Sequence, residues 1–310
     1  MTMRLVGDIG GTNARFALCE PGGIMRDERK LPVRDYPGLI EAAQAYLAGR
    51  SADHAVFAVA TPVLGDEVAF SNNPWRFTIP EARERLGLRQ LTVINDFVAQ
   101  AWSIHGLGAG DFRQLKPGTA RPGRPRVVMG PGTGLGVAFL LWEEGKARVL
   151  ASEAAHTSFA PHDDRQAGIL ARLRREFGHV STERLLSGPG LLRMANALAE
   201  MEGREERFGT PPEVSQRAAG GCALCQEAVR MFSAILGGTA GDLVLTLVAD
   251  GGVHVMGGLC RGLGPLLDLE ALARGFTAKG RFASLMETVP IDQVTRPHTG
   301  LLGAALHPGG

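Results

Sequence analysis

The chain has 310 residues, a length at which a single hydrophobic core usually stops growing, so two domains are expected. Its 33 basic and 32 acidic residues give a net charge of +1, which argues against a polyanion partner and predicts no binding of nucleic acid. We expect no membrane-spanning segment and no signal peptide, and four cysteines are few for a disulfide scaffold of this size, which predicts a cytoplasmic protein.

Short strands alternate with amphipathic helices in the first hundred residues. The stretch "LVGDIGGTNARFAL", residues 5–18, predicts two strands around a glycine turn, and "HAVFAVATPV" predicts another strand. Between them, four apolar residues at helical spacing predict a helix that Gly49 can end: Leu39, Ala43, Tyr46 and Leu47. "LTVIND" predicts a strand whose tip carries Asn95 and Asp96, and "FVAQAWSIH" predicts the helix after it. The alternation is typical of an α/β fold.

Glycine and proline become dense from Gly106 to Pro125, and the apolar periodicity stops there. This composition predicts a surface crossover between two domains, with the boundary near residue 108. We therefore predict a small α/β domain over residues 1–108 and a large α/β domain over 109–297.

The start of the second domain repeats the start of the first. At an offset of 121 residues, Gly11 matches Gly132 and Thr12 matches Thr133, so "LVGDIGGTNARFAL" has an echo in "RVVMGPGTGLGVAFLL". A duplicated strand, glycine turn and strand predicts a two-lobed fold with both turns facing one interdomain cleft. The alternative to a duplication is a chance similarity between two glycine-rich hairpins.

The glycine turns have the chemistry of a phosphate site. Glycines let backbone N–H groups approach an anion and permit positive φ, and Thr12 adds a hydroxyl donor. Asp8 would repel phosphate unless a cation lay between them, which predicts Mg²⁺, held mostly through water. A plain β-hairpin is the alternative. The sequence has no G-x-x-x-x-G-K-[ST] motif, and the glycines at 130–136 lead into a strand, so neither a P-loop nor a Rossmann site is predicted.

Cys222 and Cys225 form a C-x-x-C pair, which occurs in zinc and redox sites. Their setting, "CALCQEAVRMFSAIL", has helical apolar spacing, and no second pair completes a tetrahedral site. We interpret both as small core residues on a helix.

Seven motifs resemble those of bacterial glucokinases of the hexokinase-like group, in the same order and over essentially the whole chain: "DIGGTNARFAL", "SNNPW", "INDFVAQA", "GPGTGLGVA", "SEAAH", "GHVSTERLLSGPGL" and "VHVMGGL". Those proteins belong to the actin-like ATPase superfamily, with a ribonuclease H-like fold. The resemblance implies phosphorylation of D-glucose at its 6-hydroxyl by ATP with Mg²⁺, usually in a homodimer. It also implies that the C-terminal helix, in residues 298–310, returns to the small domain.

The resemblance assigns Asp96 as the catalytic base, and phosphoryl transfer does need a carboxylate that accepts the hydroxyl proton. Asp96 could instead be an N-cap of the following helix. The positions that match sugar-binding residues of the family are Asn95, Asp96, Glu153, His156 and Glu183, with Asn72 as a weaker candidate. Other positions in this set also have an alternative role. Glu183 could favour a helix N-terminus, His156 could lie in the core without a ligand, and Asn72 could belong to an ordinary turn.

One departure from the family concerns the sugar loop. The family more often has glycines between the glutamate and histidine of this motif, where the chain has Ala154 and Ala155. If those glycines adopt positive φ, alanine would strain the loop or move Glu153 and His156.

On the nucleotide side, the resemblance implies that each domain binds the terminal phosphates with one turn. In the small domain this turn is Gly10, Gly11, Thr12 and Asn13, and in the large domain it is Gly132, Thr133 and Gly134. The resemblance also implies that Gly257 and Gly258 form the turn that binds adenosine. Arg15 is expected to reach a phosphate, with a surface ion pair as the alternative. For Gly257 and Gly258 the alternative is close packing at a strand end.

The same fold is compatible with other functions. The polar residues of the sugar site do not by themselves exclude a kinase for another hexose or a sugar acid. A sugar-responsive repressor would need a DNA-binding segment before the first glycine turn, where we expect none, and a cysteine-rich motif after His156. An actin-like or chaperone ATPase would not need carboxylates at 96, 153 and 183.

Overall fold

A computed structural model describes residues 3–20, 23–70 and 73–309. The chain divides into two compact units, which we call unit 1 (residues 1–109 and 296–310) and unit 2 (residues 110–295). The division falls between residues 109 and 110 and between 295 and 296, and the sequence predicts a boundary near residue 108 and a large domain that ends at 297.

Runs of strands and runs of α-helices follow one another along the chain. The strands of the described residues are β1 (Arg4–Ile9), β2 (Asn13–Cys19), β3 (Met25–Pro32), β4 (His54–Val59), β5 (Glu67–Ala69), β6 (Arg76–Thr78), β7 (Gln90–Asn95), β8 (Phe112–Lys116), β9 (Arg126–Pro131), β10 (Leu135–Glu143), β11 (Lys146–Ser152), β12 (Val253–Val255) and β13 (Ile291–Val294). The α-helices are α1 (Leu39–Leu47), α2 (Ile79–Arg85), α3 (Asp96–Ser103), α4 (Asp164–Phe177), α5 (Gly188–Met201), α6 (Pro211–Ala219), α7 (Ala223–Leu247), α8 (Gly258–Leu263), α9 (Leu269–Thr277), α10 (Ala283–Thr288) and α11 (Thr299–Leu306).

Unit 1 contains a five-stranded sheet in the order β3-β2-β1-β4-β7. The first three strands are antiparallel neighbours, whereas β1, β4 and β7 run parallel. One face packs on α1, whose four predicted apolar residues are all buried, and the helix ends where Ala48 and Gly49 both take positive φ. The other face buries Val6 and Ala17 with residues of α3 and α11, so the C-terminal helix completes this unit's core.

Unit 2 repeats the same strand order in β11-β10-β9-β12-β13 and adds β8 at the edge. The strands β9, β12 and β13 are parallel, as β1, β4 and β7 are in unit 1. The two glycine turns differ in length, because Gly10 N–H donates to Asn13 O whereas Gly132 N–H donates to Gly134 O. The second turn is therefore one residue shorter than the match at offset 121 suggests.

The long helix α7 lies at the centre of the unit 2 core, and glycines let α9 approach its backbone. A Cβ on Gly237 would overlap the carbonyl oxygen of Leu272, and one on Gly275 would overlap that of Ala234. A Cβ on Gly241 would lie 2.8 Å from Phe276 O. The two helices consequently pack backbone to backbone.

The prediction of an irregular crossover from Gly106 to Pro125 is wrong for five residues. Phe112–Lys116 form strand β8, which pairs antiparallel with β13 at the edge of the unit 2 sheet. Only Leu115 and Lys116 of this strand are buried, so it has little apolar pattern of its own. Its stability comes from pairing with a strand almost 180 residues later, which local periodicity does not reveal.

Helix α7 is long and apolar enough to cross a bilayer by length and composition alone. Its most apolar 18-residue window is 72% buried inside the protein. This burial is typical of a core helix.

The C-x-x-C pair lies at the start of the same helix. Cys222 is the N-cap residue of α7 and is partly buried, whereas Cys225 is fully buried in the unit 2 core. Burial raises the pKa of the Cys225 thiol to about 12. Cys225 thus fits the predicted core position, and no group of three or more metal-ligating side chains occurs among the described residues.

We predict that Gly237→Ala destabilises the protein, because the added methyl group would force α7 and α9 apart. Overpacking of this kind costs about 2 kcal/mol or more, and thermal unfolding should show a lower melting temperature. Gly262→Ala is the matched control, since Gly262 is exposed in α8 with open space around it and an alanine there favours the helix. Equal melting temperatures for the two variants would contradict the close approach of α7 and α9.

Candidate functional site

The first glycine turn, Gly10–Asn13, follows β1 in unit 1 and is fixed by three hydrogen bonds. Gly10 N–H donates to Asn13 O (3.0 Å), Val33 N–H donates to Thr12 O (2.9 Å), and the Asn73 side chain donates to Gly10 O (3.3 Å). Within the described residues, the backbone N–H groups of Gly11 and Thr12 have no hydrogen-bond partner. The turn is therefore rigid and retains unused donors.

Asn95 and Asp96 lie at the same edge of the unit 1 sheet as this turn. The last pairs of the parallel strands align Ile9 with Val59 and Val59 with Asn95, so β1 and β7 end together. Ligands of open α/β sheets bind at the carboxyl ends of such strands.

The N-cap of α3 is Asn95 and not Asp96. The Asn95 side chain accepts a hydrogen bond from Phe97 N–H (2.8 Å) and donates to Thr61 O (3.3 Å). Asp96 is the first residue of the helix, is partly exposed, and its Oδ1 also accepts from Phe97 N–H (2.9 Å). The capping role weighed for Asp96 therefore belongs mainly to its neighbour, while Asp96 Oδ1 shares the same donor.

Asp8 is held in an unusual electrostatic setting near the end of β1. Burial raises the pKa of its carboxyl above 3.8, while the nearby charges of Arg15 and His298 lower it. A Cβ on Gly300, in the first turn of α11, would lie within 3.0 Å of this carboxylate, so the helix N-terminus approaches it closely. Local sequence reasoning missed His298 and Gly300, because they lie about 290 residues from Asp8.

Arg15 pairs with Asp8 across β1 and β2. Its Nε is buried and has no hydrogen-bond partner among the described residues, and no ion pair within 4 Å is recorded for it there. The surface ion pair weighed for Arg15 is therefore not seen. Asn72, the weaker sugar candidate, lies outside the described residues, although its neighbour Asn73 supports the first turn.

The second glycine turn, Gly132–Gly134, follows β9 in unit 2 and is held from two directions. Gly132 O accepts from the N–H of Gly188, the first residue of α5 (2.8 Å). Glu183 Oε2 accepts from Leu135 N–H (2.9 Å) at the other end of the turn. The N–H groups of Thr133 and Gly134 have no partner within the described part of the chain.

The glycines of both turns do not adopt unusual backbone angles. Gly10, Gly11, Gly132 and Gly134 are absent from the residues with positive φ, so that part of the expectation is not met. A Cβ on Gly132 would meet nothing within 4 Å, whereas one on Gly134 would overlap Glu183 Oε2. The two glycines of one turn therefore have different surroundings.

Glu153, His156 and Glu183 come together in unit 2 on two short 3-10 helices, Ala154–His156 and Thr182–Arg184. The two helices are joined because Thr182 N–H donates to Thr157 O (3.0 Å). His156 Nε2 lies 3.6 Å from Glu153 Oε2, and both side chains are 56% exposed. The core position weighed for His156 is therefore ruled out.

Ala154 and Ala155 produce no strained loop in this chain. Neither has positive φ, and both lie in the short 3-10 helix with Ala155 buried. Alanine at these two positions therefore causes no positive-φ strain in the loop.

Gly257 and Gly258 follow β12 beside the second turn. Gly257 has φ +93°, and a Cβ there would lie 2.7 Å from Pro131 O, directly before Gly132. Gly258 begins α8 and has open space around it. Gly257 thus fits the alternative of close packing at a strand end, whereas Gly258 leaves open space at the start of α8.

A cavity of about 230 Å³ in unit 2 borders the two short 3-10 helices. Its walls include Ala154, Thr157 and Thr182, but not Glu153, His156 or Glu183. This cavity is therefore distinct from the group of three sugar candidates.

The fold is shared with solved sugar kinases. A crystal structure of glucokinase from an Antarctic psychrotroph matches with a TM-score of 0.88 at 34% identity, covering 99% of this chain and 98% of that one. A ROK family glucokinase from Streptomyces griseus, in complex with glucose and AMPPNP, matches in fold with a TM-score of 0.63 at 20% identity, covering 98% of each chain. Two units of the same strand order, each with a glycine turn, define a sugar kinase of the actin-like ATPase fold.

Sequence comparison identifies the family. The family profile described as Glucokinase matches residues 5–308. The glucokinase of Chromobacterium violaceum is 42% identical over 98% of this chain and 88% of its own length, and that of Psychromonas ingrahamii is 39% identical over 98% and 96%. The chain belongs to the glucokinase family, and its activity is the ATP-dependent phosphorylation of glucose.

We predict that Asp8→Asn raises the melting temperature at neutral pH, because it removes a charge that burial disfavours. A folded-state pKa above 3.8 means that the folded protein holds this proton more tightly than the unfolded chain does. The free energy of unfolding therefore falls as pH rises from 3.8 through the folded-state pKa, and the penalty stays constant above it. Thermal unfolding of both proteins at neutral and acid pH measures this, and the advantage of the variant should shrink toward pH 3.8.

A lower melting temperature for Asp8→Asn at neutral pH would contradict this reading. It would mean that the attraction of Arg15 and His298 for the carboxylate outweighs its burial.

Proposed function

We propose that the chain transfers the γ-phosphoryl group of ATP to the 6-hydroxyl of glucose, with Asp96 as the general base. The observation that carries this proposal is the position of Asp96 at the carboxyl end of β7, level with the first glycine turn. Its backbone is fixed by the start of α3, and its side chain is partly exposed. A carboxylate held in this way can accept the hydroxyl proton as the new P–O bond forms and the bond to ADP breaks.

Each unit contributes backbone donors for phosphate oxygens. In unit 1 these are the N–H groups of Gly11 and Thr12, next to Gly10 and Asn13; in unit 2 they are those of Thr133 and Gly134, next to Gly132. All four lack a partner among the described residues. The Nε of Arg15, buried and without a partner in the same part of the chain, supports a phosphate contact for this side chain. The turn at Gly257 and Gly258, beside Gly132, would receive the adenosine. Preorganised donors stabilise the charge that develops during transfer.

Asp8 fits a magnesium ion that is bound chiefly by the triphosphate. Mg²⁺ commonly takes one or two protein carboxylates and keeps several waters beside nucleotide phosphates. Asp8 is a single carboxylate whose charged form is disfavoured by burial, so a cation nearby would stabilise it. When bound, Mg²⁺ would neutralise charge on the phosphate oxygens. Asp8 would hold the ion, a role that a neutral side chain such as asparagine does not fill.

The sugar would be bound by side chains that both accept and donate hydrogen bonds. Glu153 and His156 face each other at 3.6 Å with both side chains largely exposed, which leaves their polar atoms available to hydroxyl groups. Glu183 lies on the adjoining 3-10 helix, and Asn95 precedes the proposed base. Asn72 stays a weaker prediction outside the described residues.

We also propose that the protein is a cytoplasmic homodimer. The dimer rests on the family resemblance, and the location on the cysteine count and on the burial of α7. Light scattering should give twice the chain mass of 32.9 kDa.

We predict that Asp96→Ala lowers kcat by about 10² to 10⁴, because no other group takes the proton in the transition state. The affinity for ATP should change little, since the proposed phosphate donors are backbone groups elsewhere. Asp96→Asn is the matched variant, because its amide oxygen can still accept from Phe97 N–H and preserve the helix start. Coupled assays of glucose 6-phosphate formation give kcat, and unchanged turnover in both variants would refute the assigned base.

We predict that Glu153→Gln chiefly weakens glucose binding, with a rise in KM for glucose of about tenfold, because a charged acceptor is replaced by a neutral one. KM for ATP should stay near its normal value, since the proposed phosphate donors are the N–H groups of the two glycine turns and not Glu153. Steady-state kinetics with each substrate varied in turn separates the two constants. If KM for glucose did not change, the proposed sugar residues would be wrong.

A further inference from the structure

Glu183 makes a contact that sugar binding alone does not require. Its Oε2 accepts a hydrogen bond from Leu135 N–H at 2.9 Å, and Leu135 directly follows the second glycine turn. No described residue donates to its Oε1. One carboxylate oxygen is therefore used on the turn and the other is available to a ligand.

The carboxylate also occupies the space beside Gly134. A Cβ on Gly134 would overlap Glu183 Oε2, although Gly134 has no positive φ. An alanine here would have to displace the Glu183 carboxylate, and no unusual φ is involved. Gly132, two residues earlier, has open space at the same position.

The segment that carries Glu183 holds the other end of the turn as well. Ser187 Oγ donates to Glu183 O (2.9 Å) and also caps α5. Gly188, the next residue, donates its N–H to Gly132 O (2.8 Å). The turn Gly132–Gly134 is thus fixed at both ends by residues 183–188.

We infer that Glu183 is a positioning residue for the second phosphate turn as well as a sugar ligand, and that it couples the binding of glucose to that of ATP. This inference rests on the proposed function. A sugar hydroxyl on Oε1 restrains the same carboxylate that orients Leu135 N–H and the donors of Thr133 and Gly134. Because coupling between two sites is reciprocal, glucose and ATP should each strengthen the binding of the other by the same factor.

The first test compares Glu183→Gln with Glu183→Ala. The amide oxygen of glutamine can still accept from Leu135 N–H, whereas alanine leaves that donor without a partner. Calorimetric titration with a non-hydrolysable ATP analogue, in the absence of sugar, should show affinity within about twofold of the unaltered protein for Glu183→Gln and about tenfold weaker binding for Glu183→Ala. Both variants should bind glucose more weakly.

The second test uses the two glycines of the turn. Gly134→Ala should displace the Glu183 carboxylate and weaken glucose binding, measured without nucleotide, by about tenfold. Gly132→Ala is the matched control, because its methyl group enters open space and should leave glucose affinity unchanged. A role of the turn in phosphate binding alone predicts no effect on glucose from either variant.

The outcomes separate this inference from the proposed function. If Glu183→Ala binds the ATP analogue as well as Glu183→Gln does, or if Gly134→Ala binds glucose as well as Gly132→Ala does, the positioning role is overturned. If instead Glu153→Gln and Glu183→Gln both leave glucose affinity unchanged, the sugar site itself is wrong. Gly134→Ala tests the coupling even if Glu183→Ala fails to fold.

Discussion

The alignment of parallel strand ends is the constraint on which the proposed chemistry depends. In unit 1, the register that pairs Ile9 with Val59 and Val59 with Asn95 brings the first glycine turn and Asp96 to one edge of the sheet. In unit 2, the pairing of Val255 with Met129 does the same for Gly257 and the second turn. A shift of one residue in either register would turn the side chains of that strand to the opposite face. The positions of loop residues thus follow from buried backbone pairing.

Two charged residues of unit 1, Asp8 and Arg15, lie in positions that the stability of the fold alone would not favour. Burial raises the pKa of Asp8, and the Nε of Arg15 is buried without a hydrogen-bond partner among the described residues. Both residues lie near the first glycine turn, where the N–H groups of Gly11 and Thr12 also lack a partner in the described part of the chain. Groups that are left unsatisfied within the protein cost stability, so their concentration at one edge of the sheet is what a site for a charged ligand requires.

Much of this organisation was predictable from the sequence because the signals are local. The glycine-turn hairpins, the amphipathic α1 and the strand that ends at Asn95 all follow from patterns within about fifteen residues. Strand β8 was missed because it forms through pairing with β13, far along the chain. The shorter second turn was missed because a match of residue types does not define hydrogen-bond register. The contact between Glu183 and Leu135, 48 residues apart, has no local signal either.

Gly132 and Gly134 show why the same residue type in one turn can have two causes. Neither has positive φ, so conformational freedom explains neither glycine. The protein leaves open space at Gly132, which a bound ligand could occupy because there is no side chain. Glu183, in contrast, fills the space beside Gly134. Within one glycine-rich motif, one glycine can leave space for a ligand while another is set by packing inside the protein. Because the packing partner is a proposed sugar ligand, the turn that we propose to bind phosphate also carries a constraint from the proposed sugar site.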